Sequence, residues 1–267
     1  MAFLPEKTKL TRIPTPFASF STATGHGTNT MLDSLSFPTD AISALRDAIT
    51  RQFPGKIALV SSFGAESAVL LHMVAQIDKS LPIVFLDTGK LFPETLAYRD
   101  TLVEALGLIG VRSIRPSGKQ LAAYDPDGRL WEKDPDLCCA IRKTNPLDDA
   151  LEGFDAWITG RKRGQSATRA NLQLQETGAD GRITINPLAF WDDEMLDAYF
   201  PAHGLPHHPL QAQGYTSIGC ATCTVKPLPG EDKRSGRWAG QAKIECGIHM
   251  PRAMTKPEWP ENLTFEV

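Results

Sequence analysis

The chemistry of this chain is concentrated in its five cysteines. Two are adjacent, in Asp136-Leu137-Cys138-Cys139-Ala140-Ile141-Arg142-Lys143, and two form a CxxC pair, in Gly219-Cys220-Ala221-Thr222-Cys223. The fifth, Cys246, stands apart in Lys243-Ile244-Glu245-Cys246-Gly247-Ile248-His249. Thiolates select zinc or iron–sulfur centres. A structural zinc usually takes two CxxC-like pairs, and adjacent cysteines fit one tetrahedral ion poorly. A [4Fe–4S] cube offers a separate iron corner to each thiolate, so a CC pair can reach two of them. This ligand logic favours a cluster on Cys138, Cys139, Cys220 and Cys223 over zinc. A redox-active Cys220/Cys223 dithiol is the alternative that the CxxC spacing leaves open.

Cys246 has a different setting. Gly247 gives the backbone freedom, Lys243 and His249 bring positive charge, and no apolar periodicity would bury the segment. An accessible thiolate of lowered pKa is what nucleophilic attack needs. A surface thiol with no role is the bland alternative. A cluster and an anion site elsewhere in the chain weigh towards the nucleophile.

The elements that must position these thiols alternate. A helix is expected from Pro38 to Phe53, with Ile42, Leu45 and Ile49 at helical spacing. Ile57–Val60 and Pro82–Leu86 are continuously apolar, as buried parallel strands are. Helices follow from Glu66 to Ile77 and from Pro93 to Leu106, where proline suits the first turn. Val111–Arg115 and Phe154–Ile158 are further strands. Residues 116–137 read as mostly loop with one short helix, and Cys138–Leu151 as a helix that Pro146 kinks or restarts. Gly178–Gly181 joins two short strands as a hairpin, and a helix near Asp192–Phe200 follows. This alternation predicts an α/β fold with a doubly wound, mostly parallel sheet.

Two loops at the strand ends have anion-binding character. Ser61-Ser62-Phe63-Gly64-Ala65-Glu66-Ser67 is a small-residue turn between strand and helix, which points N–H groups at a ligand. It is neither a Walker A loop nor GxGxxG, so a plain βα turn is an equal reading of the motif alone. Arg161, Lys162, Arg163 and Arg169 follow the fourth strand. A charge run is usually solvated surface, but this one falls on the edge where α/β ligands bind. Asp87-Thr88-Gly89 ends the second strand on the same edge.

Composition sets limits. The chain has 267 residues, 42% of them hydrophobic, enough for a full core. A net charge of −3 argues against nucleic-acid binding, and no apolar run is long enough for a membrane span. Residues 1–37 are rich in Ser, Thr, Pro and Gly without an apolar signal core, which reads as a mobile tail. A reducing, cytoplasmic compartment is expected. The expected organisation is a tail at 1–37, a nucleotide- and cluster-binding domain at 38–225, and a C-terminal arm at 226–267 carrying Cys246.

Taken together these motifs resemble the APS/PAPS reductase family, in its iron–sulfur branch of assimilatory adenylyl-sulfate (APS) reductases. The resemblance is carried by the Ser61–Ser67 turn, Leu86-Asp87-Thr88-Gly89, Cys138-Cys139, Thr159-Gly160 with the Arg161–Arg169 loop, Cys220-Ala221-Thr222-Cys223 and Glu245-Cys246-Gly247-Ile248-His249. It implies an adenine nucleotide alpha-hydrolase-like fold. The turn departs from the SGGxDS form of related ATP pyrophosphatases, which implies nucleotide binding without ATP cleavage. Ser61, Ser62, Gly64, Ala65, Glu66 and Ser67 would cradle the phosphosulfate, with Asp87 and Gly89 near the adenosine. Arg161, Arg163, Arg169, Arg234, Arg237 and His249 would complete the substrate site, and Lys143 would stand beside the [4Fe–4S] cluster. Cys246 would attack the sulfur and AMP would leave. Thioredoxin or glutaredoxin, as a separate protein, would then release sulfite. A PAPS or dual-substrate reductase and a non-catalytic iron–sulfur protein are the alternatives, and a homo-oligomer is left open.

Overall fold

The computed structural model describes residues 39–241, 243 and 245–249; the expected tail at 1–37 lies outside them. Thr39–Asp47 forms α1, continued by a wider turn over Ala48–Gln52, and buries Leu45 and Ile49 as their spacing predicts. Then come β1 (Ile57–Val60), α2 (Ser67–Ala75), β2 (Ile83–Leu86), α3 (Pro93–Leu106) and β3 (Val111–Ile114). Pro93 opens α3, and Gly107 closes it in a left-handed conformation that favours glycine.

Residues 116–137 differ from expectation. They hold α4 (Gly118–Tyr124), α5 (Leu130–Lys133) and the start of α6 (Pro135–Cys139). These helices are only four to seven residues long, too short for an apolar stripe to show, and side-chain hydrogen bonds help start the last two. The Asp134 carboxylate accepts from the N–H groups of Asp136 and Leu137, and Asp125 accepts from Leu130. Beyond α6 the helix widens over Ala140–Thr144 before α7 (Asn145–Ala150). Pro146 has no N–H for the Arg142 carbonyl, which accounts for the break. The widened turn carries Arg142 and Lys143, directly after the CC pair.

The chain continues through β4 (Ala156–Ile158), β5 (Gln175–Thr177), β6 (Ile183–Ile185) and α8 (Asp193–Ala202), whose first turn Asp192 caps. The sheet order is β3-β2-β1-β4-β6-β5. Every pairing is parallel except β5 with β6, the hairpin the sequence predicts. Alternate residues of β1 and β2 serve two cores. Ile57, Leu59, Ile83 and Phe85 pack in one cluster with residues of α1, α2, α3 and α8; Ala58, Val84 and Leu86 pack in another with Leu147 and Leu151. This is the doubly wound arrangement. Its strand order reverses between β1 and β4, where Leu59 pairs with Ile158. Ser61 and Thr159 therefore leave the sheet side by side at the switch point, where such sheets bind ligands.

After α8 the chain returns across this edge. Thr224 and Arg237 form an antiparallel bridge, and Val225 N–H donates to the Gly236 carbonyl at 2.9 Å. A Cβ on Gly236 would lie 2.0 Å from the Val225 carbonyl oxygen, so this approach needs glycine. Among the described residues no helix is long and apolar enough to cross a membrane.

Candidate active site and thiol cavity

A cavity of about 310 Å³ opens at the switch point. Its floor is the end of β1 and the Ser61–Ser67 turn, one wall is the loop after β4, and the other wall is the arm. Phe63 shapes the turn. It is a non-glycine residue at φ 49°, held by burial of its ring edge-on against Phe85, at 5.3 Å between centroids. Left-handed residues of this kind cost about 1–3 kcal/mol and cluster at functional sites. Trp238, at φ 52°, is the second among the described residues, and it lines the same cavity. Glu66 precedes α2 without capping it through its side chain. The first N–H groups of α2 therefore begin at the cavity, a favourable place for an anion.

Cys246 lines this cavity, half-buried, together with Lys143, Arg234 and Arg237. Burial alone would lower the Lys143 pKa. Negative charge on Cys220, Cys246 and Cys139 outweighs it and holds the ammonium above its ordinary value. Burial lowers the Arg234 pKa against the opposing pull of Glu245. Arg237 stacks on the Trp238 ring, 4.5 Å from its centroid, and its buried Nε has no hydrogen-bond partner. Gly219 makes room for it, because a Cβ there would come within 2.3 Å of Nη2. His249 stacks on Trp157, with centroids 6.1 Å apart. Burial, then the guanidinium groups of Arg169, Arg161 and Arg234, pushes its imidazole well below the usual pKa, so it is neutral at pH 7. Its buried Nδ1 is also without a partner.

Four thiols meet in a second, smaller cavity behind the first. Cys138 and Cys139 from α6 and Cys220 and Cys223 from the CxxC turn line it with Lys90, Arg142, Lys143, Arg237 and Trp238. Thr88 places its hydroxyl 3.3 Å from Cys220 Sγ, from a turn that Gly89 completes at φ 68°. Arg142 is buried, donating to the Thr88 carbonyl at 2.7 Å and pairing with Asp125. Four soft ligands ringed by cations suit an anionic thiolate-bound centre. Among the described residues no three His, Cys, Asp or Glu side chains converge on a single-ion site. Lys143, Arg237 and Trp238 line both cavities and join them.

Of the expected site residues, Ser61, Ser62, Gly64, Ala65, Glu66, Ser67, Arg161, Arg169, Arg234, Arg237, Lys143, Cys246 and His249 all line the first cavity. Asp87, Gly89 and Arg163 do not. Asp87 follows β2 rather than a strand flanking the switch point, and its carboxylate is taken by Arg115 at 2.9 Å. Arg163 turns outward, donating to the Leu172 carbonyl and lying over the exposed Phe190 ring. Arg161 and Arg169 reach the cavity already paired, with Glu176 and Glu245. The sequence reading misses Lys162, which is buried between Glu66 and Asp193, and misses Gln165, Trp157 and the role of Glu245. Only the placement of Lys162 and Gln165 in the cationic loop signalled them.

The fold and site define an α/β nucleotide-site protein with a thiol-bearing arm and a thiol quartet, three of whose members are buried. The chain belongs to the phosphoadenosine phosphosulfate reductase domain family, whose model matches residues 56–226. That stretch holds the turn and both thiol pairs, and Cys246 lies beyond it. An adenosine 5'-phosphosulfate reductase of Mesorhizobium japonicum is 54% identical over 198 residues, 74% of this chain and 78% of that one. Another, of Chelativorans sp., is 55% identical over 197 residues, 74% of this chain and 80% of that one. Among solved structures, phosphoadenylyl-sulfate (PAPS) reductase from Candida auris in a phosphate complex superposes with a TM-score of 0.61 and 28% identity, covering 76% of this chain and 100% of that one.

Proposed function

We propose that this chain is an adenosine 5'-phosphosulfate reductase that makes sulfite and AMP for sulfate assimilation, drawing electrons from a thioredoxin- or glutaredoxin-type dithiol. The observation that carries the reading is that Cys246 lines one cavity with the Ser61–Ser67 turn, Lys143, Arg234 and Arg237. The turn and the start of α2 bind the phosphate. Arg237 and Lys143 hold the sulfonate oxygens, with His249 as a neutral hydrogen-bonding partner. The Cys246 thiolate attacks the sulfonate sulfur. The S–O bond to phosphate breaks, and AMP leaves with that electron pair. The result is S-sulfocysteine at 246. A reductant thiolate then attacks Cys246 Sγ, sulfite departs, and the reductant's second thiol resolves the mixed disulfide and returns Cys246. Residues 226–267 act as the arm that brings the nucleophile.

Cys138, Cys139, Cys220 and Cys223 would hold a [4Fe–4S] cluster. The cluster would supply a fixed anionic centre beside Lys143 and need not change oxidation state. The adjacent cysteines, which fit one tetrahedral ion poorly but can reach two corners of a cube, favour it over zinc. Five free cysteines among the described residues fit a reducing, cytoplasmic compartment.

The arrangement favours APS over PAPS. A 3′-phosphate adds about −2 in charge near neutral pH and needs its own cations. Arg161, Lys162 and Arg169 are already paired with carboxylates, and Asp87 with Arg115 lies outside the cavity. Arg237 and Lys143 are left for the phosphosulfate. We expect kcat/KM for APS to exceed that for PAPS by at least about tenfold, or about 1.4 kcal/mol of transition-state binding. Paired kinetics at one ionic strength with one thioredoxin measure this. Preference for PAPS would assign one of these cations to the 3′-phosphate instead, and no sulfite from either would reject the reading.

Arg237 offers a second check. A charge-assisted hydrogen bond is worth about 1.5–3 kcal/mol, one to two decades in affinity. Arg237→Ala is expected to weaken APS binding on that scale, measured by equilibrium titration in a Cys246→Ser background so that no turnover intervenes. An unchanged dissociation constant would leave Arg237 as packing for Trp238.

A further inference from the structure

Glu245 is heavily engaged among the described side chains of the arm. Its carboxylate is 4% exposed. Arg169 donates to it with Nε at 2.8 Å and Nη2 at 2.9 Å, Arg234 donates at 3.3 Å, and the Cys246 N–H donates at 2.9 Å. Burial would raise its pKa, but Arg169, the Cys246 N–H and Arg234 outweigh burial and hold it ionised. The remaining Arg169 nitrogen, Nη1, donates to Gln165 Oε1. Gln165 in turn donates to Glu66 at 3.2 Å, at the mouth of the Ser61–Ser67 turn. Each guanidinium nitrogen of Arg169 thus has a partner within the protein, engaging three of its five N–H donors. A continuous hydrogen-bonded chain runs from the residue beside the thiol to the turn that begins α2.

We propose that Glu245 is a positioning residue: by docking on Arg169 it holds the arm so that the Cys246 thiol faces the Ser61–Ser67 turn. This rests on Cys246 being the nucleophile, as proposed above. The bidentate geometry matters because it fixes direction as well as distance. Displacing a reacting atom by about 1 Å can cost about a hundredfold in rate without weakening ground-state binding.

The test is a double-mutant cycle on the holoenzyme with Glu245→Gln, Arg169→Gln and both together. Three readouts are taken: kcat for sulfite from APS, the dissociation constant for AMP, and the rate of Cys246 alkylation by iodoacetamide. Each single variant is expected to lose about a hundredfold in kcat, to bind AMP within about twofold of the parent, and to alkylate at least about tenfold faster. The double variant is expected to be no worse than the poorer single one, because both act through one contact. Losses that multiply, AMP affinity falling in step with kcat, or an unchanged alkylation rate would each overturn the proposal. Glu245→Asp keeps the charge on a shorter stem. It is expected to show an intermediate kcat with unchanged AMP binding, and it carries the same test if Glu245→Gln fails to fold. Alkylation needs no turnover. A parent enzyme that shields Cys246 through Glu245 yet makes no sulfite would reject the functional reading alone.

Discussion

Cys246→Ser is expected to abolish sulfite formation while leaving AMP binding and iron content unchanged. The half-buried thiol lines the same cavity as Lys143 and Arg234. A serine hydroxyl keeps the size but not the ionisable, polarisable sulfur. Loss of a covalent nucleophile typically costs more than about a thousandfold. The phosphate turn, Arg237 and the thiol quartet do not depend on this atom. The measurement is sulfite release from APS with thioredoxin, alongside AMP titration and iron analysis. Trapping without reductant gives an independent view. The parent protein should gain the mass of one SO3 group on Cys246, and the serine variant none. Turnover near the parent level in the variant would remove Cys246 from the mechanism.

What the sequence made legible was whatever short spacing encodes. The CC and CxxC pairs, the small-residue turn after an all-apolar strand and the proline-led α3 can each be read from a few neighbouring residues. The switch point follows from the strand order, which the alternation of elements only narrows. What stayed hidden depends on distant partners. Glu245 meets Arg169 across 76 residues, and Lys162 meets Glu66 across 96. Nothing near either position signals the pairing. The same dependence on distant partners leaves two expected residues outside the cavity. Asp87 sits at a strand end, where the rule for α/β ligands points, but β2 is one strand removed from the reversal and Arg115 takes the carboxylate. Arg163 belongs to the cationic loop, yet a short turn over Arg163–Gln165 swings it outward onto Phe190 while Lys162 and Gln165 face in. Charge density located the loop; only backbone geometry decides which cations enter.

Removing one thiol of the quartet is expected to be as damaging as removing the nucleophile, by a separable route. Cys139 and Cys220 are each 8% exposed and come from opposite walls of the small cavity, one from α6 and one from the CxxC turn. Cys139→Ser or Cys220→Ala would leave a centre one ligand short and Lys143, Arg142 and Arg237 facing a reduced negative charge. Metal binding of this kind is also folding free energy, so expression and stability should fall together with metal content. Outer-shell partners alone are worth about 10–100-fold in metal affinity, and a direct ligand is expected to be worth more. Iron and acid-labile sulfide per chain, the visible absorption band and sulfite formation should therefore all fall in both variants, whereas Cys246→Ser loses only the last. Three patterns would decide against the cluster. Full activity in protein with no iron would make the quartet irrelevant to the reaction. One equivalent of zinc with no visible band would place a single ion among these thiols. Activity that survives Cys139→Ser but not Cys220→Ala would point to a Cys220/Cys223 dithiol, since only that chemistry can dispense with the CC pair.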